Sequence, residues 1–199
     1  MTLLRRAVLS LALLFAAGPA LADGLPPVTA ADRFLGRSDA PVTVVEYASL
    51  TCSHCAAWHT TILPTFKARF IDTGKVRLVY RDLPTPPADV AATGAGLARC
   101  AAPERFFDVV GTLMNNQAMT RPGGDVGPWY DAGVAASGRT REQIETCLAD
   151  PSTITNLRAG IEGGRGAGVA GTPTFFVNGQ KVADGSMETL AAAVESAIR

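Results

Sequence analysis

Cys52 and Cys55 stand two residues apart in "TCSHCAAWH" (Thr51 to His59), with Ser53 and His54 between them and His59 four residues beyond the second thiol. Two cysteines at this spacing could undergo reversible dithiol–disulfide exchange, ligate a metal, or act as a structural staple. The staple is the weakest reading, because so short a closed loop barely restrains the unfolded chain. For a metal carrier, Cys52, His54, Cys55 and His59 offer sulfur and nitrogen suited to zinc or Cu(I). Their side chains leave one helix start in several directions, however, and the sequence has no further histidine and no second Cys-x-x-Cys. Exchange is therefore the favoured chemistry, with no metal and no cofactor expected.

The N-terminus sets the compartment. Arg5 and Arg6 precede the apolar run "AVLSLALLFAA", and Ala20-Leu21-Ala22 ends it with small residues. This pattern predicts a cleaved secretory leader over residues 1–22, since the run is too short to span a bilayer. Removing it takes two of the 18 basic residues and none of the 18 acids, leaving 16 against 18 and a net charge of −2. Such a balance gives no sign of a nucleic-acid or membrane-surface partner. In an exported chain the four cysteines are expected to form disulfides, and four allow three pairings. Cys100 and Cys147 both fall in segments with helical character. A bridge between them suits the oxidising compartment and would contribute up to roughly 4 kcal/mol through the loop it closes.

The elements that must position these residues follow from periodicity. Residues 23–41, with Pro26, Pro27, Gly36 and Pro41, read as a short irregular lead. "VTVVEY" (Val42 to Tyr47) is β-branched and of strand length. A helix is expected from Cys52 to about Asp72, with Trp58, Ile62, Leu63, Phe66 and Phe70 on its buried face and a kink at Pro64. Trp58 then packs in the core, and His59 reads as a solvated helix residue. "KVRLVYRDLP" is a second strand, so residues 42–84 form a βαβ unit with parallel strands. Residues 85–164 turn Ala-rich and helical, with helices near 87–101, 103–117, 128–137, 140–149 and 152–162. Thr140 and Gln143 form a capping-box pattern at the start of the fourth. Residues 165–199 return to a hairpin about Asn178-Gly179 and a closing helix capped by Ser186, with Leu190, Val194 and Ile198 on one face. Gly166, Gly168 and Gly171 match a dinucleotide-binding spacing formally, but a strand follows them where that fingerprint needs a helix. The class is α/β: a thioredoxin fold interrupted by an inserted all-α domain.

A Cys-x-x-Cys between strand and helix places Cys52 at unpaired backbone N–H groups and the positive end of the helix dipole. Both favour the thiolate, which is the attacking and leaving species. Cys52 is then the exposed nucleophile and Cys55, one turn further in, the resolving thiol. His54 can direct a hydrogen bond or positive charge at the Cys52 sulfur. That stabilises the reduced form and makes the disulfide more oxidising.

With "VVEYASLTCSHC", the helical insertion and "GVAGTPTFFVNGQKV", the chain resembles the DsbA-type thiol:disulfide oxidases of the bacterial periplasm over essentially all of its sequence after the leader. The resemblance implies a cis-proline loop at Thr172-Pro173, lying against the Cys-x-x-Cys and holding extended substrate. It places Glu46, six residues before Cys52, as an acid near the buried cysteine, where a carboxyl could pass protons to and from Cys55. Ser53 departs from the proline common at that position and so alters the potential. Thr172 also occurs in isomerase relatives, which leaves a disulfide isomerase or reductase of the same fold as the alternative. Those relatives assemble through an N-terminal domain or stalk, for which residues 23–41 are too few, so a monomer is expected. The substrates implied are reduced exported polypeptides, and the reoxidising partner a DsbB-like membrane quinone reductase.

Overall fold

The computed structural model describes residues 24–199, so the expected leader lies outside the described residues. Five strands form one sheet in the order β1-β3-β2-β4-β5. Its centre is β2 (Val42–Ala48) paired in parallel with β3 (Val76–Asp82), with Val44 opposite Leu78 and Glu46 opposite Tyr80. Both strands are rich in β-branched and aromatic residues and are buried almost throughout, as central strands covered on both faces are.

The lead is not wholly irregular. Arg33–Leu35 forms β1, antiparallel to β3. Three residues are too few for alternation to show in the sequence. On the other side β4 (Thr174–Val177) runs antiparallel to β2, and β5 (Gln180–Lys181) closes the expected hairpin. Asn178 (φ 46°) and Gly179 (φ 83°) both take the left-handed conformation that a two-residue hairpin turn of this kind requires.

After β2 the chain enters a helical run that is not uniform. It begins as α1 (Ser53–Ala57), loosens to a π turn at Trp58–Ile62, tightens in α2 (Leu63–Phe66), and loosens again at Lys67–Ile71. The expected interruption at Pro64, which has no N–H to donate, takes the form of π turns on either side of the short α segment.

Between β3 and β4 lie α3 (Ala88–Cys100), α4 (Phe106–Asn115), α5 (Val126–Ala136), α6 (Arg141–Ala149) and α7 (Pro151–Gly166). Short 3₁₀ turns at Pro103–Arg105 and Gln117–Thr120 flank α4. The second expected helix, 103–117, is thus split. The third begins earlier than expected because the Asp125 carboxylate accepts from Gly127 N–H at 2.9 Å. The last starts at Pro151 under the Asp150 cap and runs four residues past 162. α6 carries the expected capping box of Thr140 and Gln143.

Three apolar clusters hold these layers. Val42, Val44, Leu78, Phe175 and Val177 on one sheet face pack against Trp58, Phe66 and Phe70 and against α8 (Met187–Ile198). Leu190 and Val194 of α8 are buried there, but Ile198, expected on the same face, is exposed at the helix's last residue. Val45, Tyr47, Val79 and Phe176 on the opposite face meet Leu25, Val28, Ile161 and Val169. So α7, read in sequence as the last inserted helix, also covers the sheet. The remaining helices gather around Leu97, Phe106, Leu113, Trp129 and Ile144, and this cluster reaches Ala48, Leu50, Cys55 and Tyr80.

Candidate active site at the start of the first helix

Cys52 is the N-cap of α1, with extended backbone (φ −83°, ψ 119°), and Cys55 follows inside the first turn. Both are free thiols; Cys52 is partly exposed and Cys55 is fully buried. The segment leading in is fixed from two sides. Gln117 Nε2 donates to the Thr51 carbonyl at 2.7 Å, and the Thr51 hydroxyl donates to the Thr85 carbonyl at 2.9 Å. Ser49 Oγ accepts from Thr85 N–H at 3.0 Å, completing a small polar bracket under the turn.

The two sulfurs titrate in opposite directions. The Cys55 thiol donates to Cys52, the largest effect, and with further help from the Thr172 contact and the N–H groups of Cys55 and His54 it outweighs burial. Cys52 is thereby pushed down to about 4. Cys55 is pushed far above the ordinary thiol range by that same bond to Cys52, then by burial and by the negative charge of Glu46. One cysteine is a thiolate at neutral pH and the other stays a thiol.

Thr172 and Pro173 meet this pair from the far end of the chain. Their peptide bond is cis, and Cys52 Sγ lies 3.3 Å from the Thr172 carbonyl oxygen. Ser53 and His54 are exposed at the helix start. What His54 supplies to Cys52 is its backbone N–H.

Glu46 is fully buried on β2, and the structure corrects the reading of His59. That ring is not solvated: His59 is 8% exposed and Glu46 0%, and His59 Nε2 lies 3.1 Å from both carboxylate oxygens. Trp58 fills the core beside it and donates its Nε1–H to the Gly185 carbonyl at 2.8 Å. His59, whose ring meets Tyr80 edge to face at 6.0 Å, is the residue of this region that sequence periodicity missed. The signal available was a histidine and an acid that a strand–turn–helix geometry could bring together. With His54 exposed and His59 turned to Glu46, the four potential metal ligands do not converge. Among the described residues no group of three or more Cys, His, Asp or Glu is placed to hold a metal ion.

Cys100, at the end of α3, and Cys147, in α6, form a disulfide with Cα atoms 5.8 Å apart across a sequence separation of 47.

A Cys-x-x-Cys at a helix N-terminus facing a cis-proline, on a sheet whose βαβ and ββα parts are separated by helices, defines a thioredoxin-type protein. The chain belongs to that family: the family model described as Thioredoxin matches residues 29–196. Its fold is the DsbA-like form, with the helical insertion. Oxidised BdbD from Bacillus subtilis superposes with a TM-score of 0.78 at 20% identity, covering 88% of this chain and 97% of that one. Wolbachia pipientis alpha-DsbA1 does so with a TM-score of 0.74 at 23% identity, over 87% and 96% of the two chains. At those identities the likeness is one of fold. A Rickettsia bellii chain that carries the provisional name of protein-disulfide oxidoreductase is 33% identical over 172 residues, 84% of this chain. The match spans 64% of that relative's length.

Proposed function

We propose that the protein is a thiol:disulfide oxidase of the periplasm that donates the Cys52–Cys55 disulfide to reduced exported polypeptides. The observation that carries this reading is the asymmetry of the two sulfurs, one held near pKa 4 and partly accessible, the other buried and protonated. A stabilised Cys52 thiolate lowers the free energy of the reduced protein, so the disulfide is readily given away.

In the donating direction a substrate thiolate attacks Cys52 of the disulfide. The Cys52–Cys55 bond breaks, its electron pair stays on Cys55, and a substrate–Cys52 mixed disulfide forms. A second substrate thiolate then attacks the substrate sulfur of that bond and expels Cys52 as the favoured leaving thiolate. The cis Thr172-Pro173 loop beside Cys52 holds the extended substrate across the sulfur. Glu46 serves Cys55 as a nearby acid, and the Cys100–Cys147 bridge is structural. The reduced protein needs an oxidant, for which a DsbB-like membrane quinone reductase fits the resemblance. A monomer, exported by the leader at residues 1–22, completes the proposal.

The test is equilibration of the Cys52–Cys55 pair with glutathione, read by thiol trapping. A potential near about −120 mV is expected of a donor. A value of roughly −230 mV or lower would move the protein to the reducing or isomerising arm of the fold.

A further inference from the structure

We infer that His59 is a positioning residue for the exchange reaction, holding through Glu46 the proton that Cys55 takes up and gives back. When the Cys52–Cys55 disulfide is attacked, Cys55 departs carrying an electron pair into a site closed to water. A buried thiolate beside the Glu46 charge is costly, so the bond breaks easily only if a proton arrives as it breaks.

The groups able to supply that proton are few. Cys55 sits in α1, and His59 lies one turn on, in the π segment that continues it. Glu46 on β2, in contact with His59 and near enough to Cys55 for its charge to act there, stands in register with Tyr80 on β3. Glu46, Tyr80 and Cys55 are fully buried and His59 nearly so. α4, packed on the π turn, brings Phe106 and Phe107 against Tyr80, neither of which titrates. Its acid, Asp108, is exposed and paired with Arg105. Asp82, two residues beyond Tyr80, is neutralised by Arg99 at 2.6 Å. Tyr80 itself is held in its neutral form by burial and by the neighbouring acids. That leaves the Glu46–His59 pair, whose two carboxylate oxygens lie equally close to one ring nitrogen.

The proton count closes. With one exchangeable proton shared as imidazolium and carboxylate, the pair is neutral overall. As Cys55 leaves, that proton passes by way of the Glu46 carboxyl to the Cys55 sulfur, giving the thiol and leaving neutral imidazole beside carboxylate. Solvent restores the proton before the next turnover. In the opposite direction the same pair accepts the Cys55 proton as that sulfur attacks. The inference rests on the proposed exchange chemistry but not on its direction, because both directions use the same proton.

The experiment is single-turnover reduction of the oxidised protein by glutathione between pH 5 and 8, with rates expressed per glutathione thiolate. Any Cys-x-x-Cys disulfide reacts with glutathione, so the readout does not depend on which way the protein works physiologically. In the wild type the rate should fall as pH rises. His59→Gln keeps a hydrogen-bond donor for Glu46 but cannot carry the proton. It should lose at least tenfold at pH 5–6 and flatten the profile. Glu46→Gln should lose a similar factor, and the double variant no more than either, since the two act on one path. The pH titration of Cys52 absorbance near 240 nm should stay where it is, because neither residue is among the groups that lower Cys52. A wild-type slope retained in His59→Gln overturns the inference, as does a rate loss matched by a displaced Cys52 titration. A reducing potential with the His59-dependent slope intact would instead sink only the donor direction.

Discussion

A thiolate at Cys52 ties stability to redox state and pH in a way that can be checked without any substrate. In the reduced fold Cys52 titrates near about 4, whereas an unfolded cysteine does so near about 8.5. Between those values the unfolded reduced chain binds the extra proton, so the stability of the reduced form rises with pH. Cys55, raised in the fold, is a thiol in both states below about pH 8.5 and adds nothing over that window. The oxidised form has neither titration. Calorimetry should therefore find the Tm of the reduced protein climbing relative to the oxidised one from pH 4 to 8, with the gap shrinking again as pH drops towards 4. A gap that stays constant would mean Cys52 is an ordinary thiol. At this scale the sequence was legible where chemistry is local. Cys52, Cys55 and the Thr172-Pro173 step stand out by type and spacing. His59 did not, because the buried stripe through Trp58, Ile62 and Phe66 passes beside it and leaves it on what looks like a free flank. That flank is covered by α4 and faced by Tyr80, neither of which is adjacent in sequence.

The elements place those residues by close packing as well as by polar contacts. Gly94 of α3 is one such tight point: a Cβ there would overlap the Trp129 ring and come 2.9 Å from Leu50 Cδ1, in the turn that leads to Cys52. Trp129 cannot easily yield, since its Nε1–H is tied to the Leu113 carbonyl at 2.9 Å. Gly94→Ala should cost about 1–3 kcal/mol in urea unfolding, although alanine is the better helix former. A neutral or stabilising result would show that the α3–α5 contact is loose. The type of the longer elements was readable, but not every boundary and not every short element. Caps explain the errors in part, as with Asp125 and Asp150, whose side chains start helices earlier than the apolar pattern does. β1 was missed because an edge strand of three residues owes its pairing to β3 rather than to its own pattern.

For the whole molecule, the Cys100–Cys147 bridge closes a loop containing α4 and α5 and so fastens the helical layer to itself rather than to the sheet. Replacing both cysteines by alanine should lower stability by up to about 4 kcal/mol while leaving the Cys52 titration in place. A changed titration would mean that the bridge also shapes the site. On the proposed function, whose substrates are unfolded chains, the sheet itself carries a consequence. Such chains are rich in unpaired strands looking for a partner, and an open sheet edge invites them to add on and stay. Here the outermost strands are three residues at one side and two at the other. An incoming chain finds too little backbone to zip against, so it can touch the sulfur and leave without being built into the sheet.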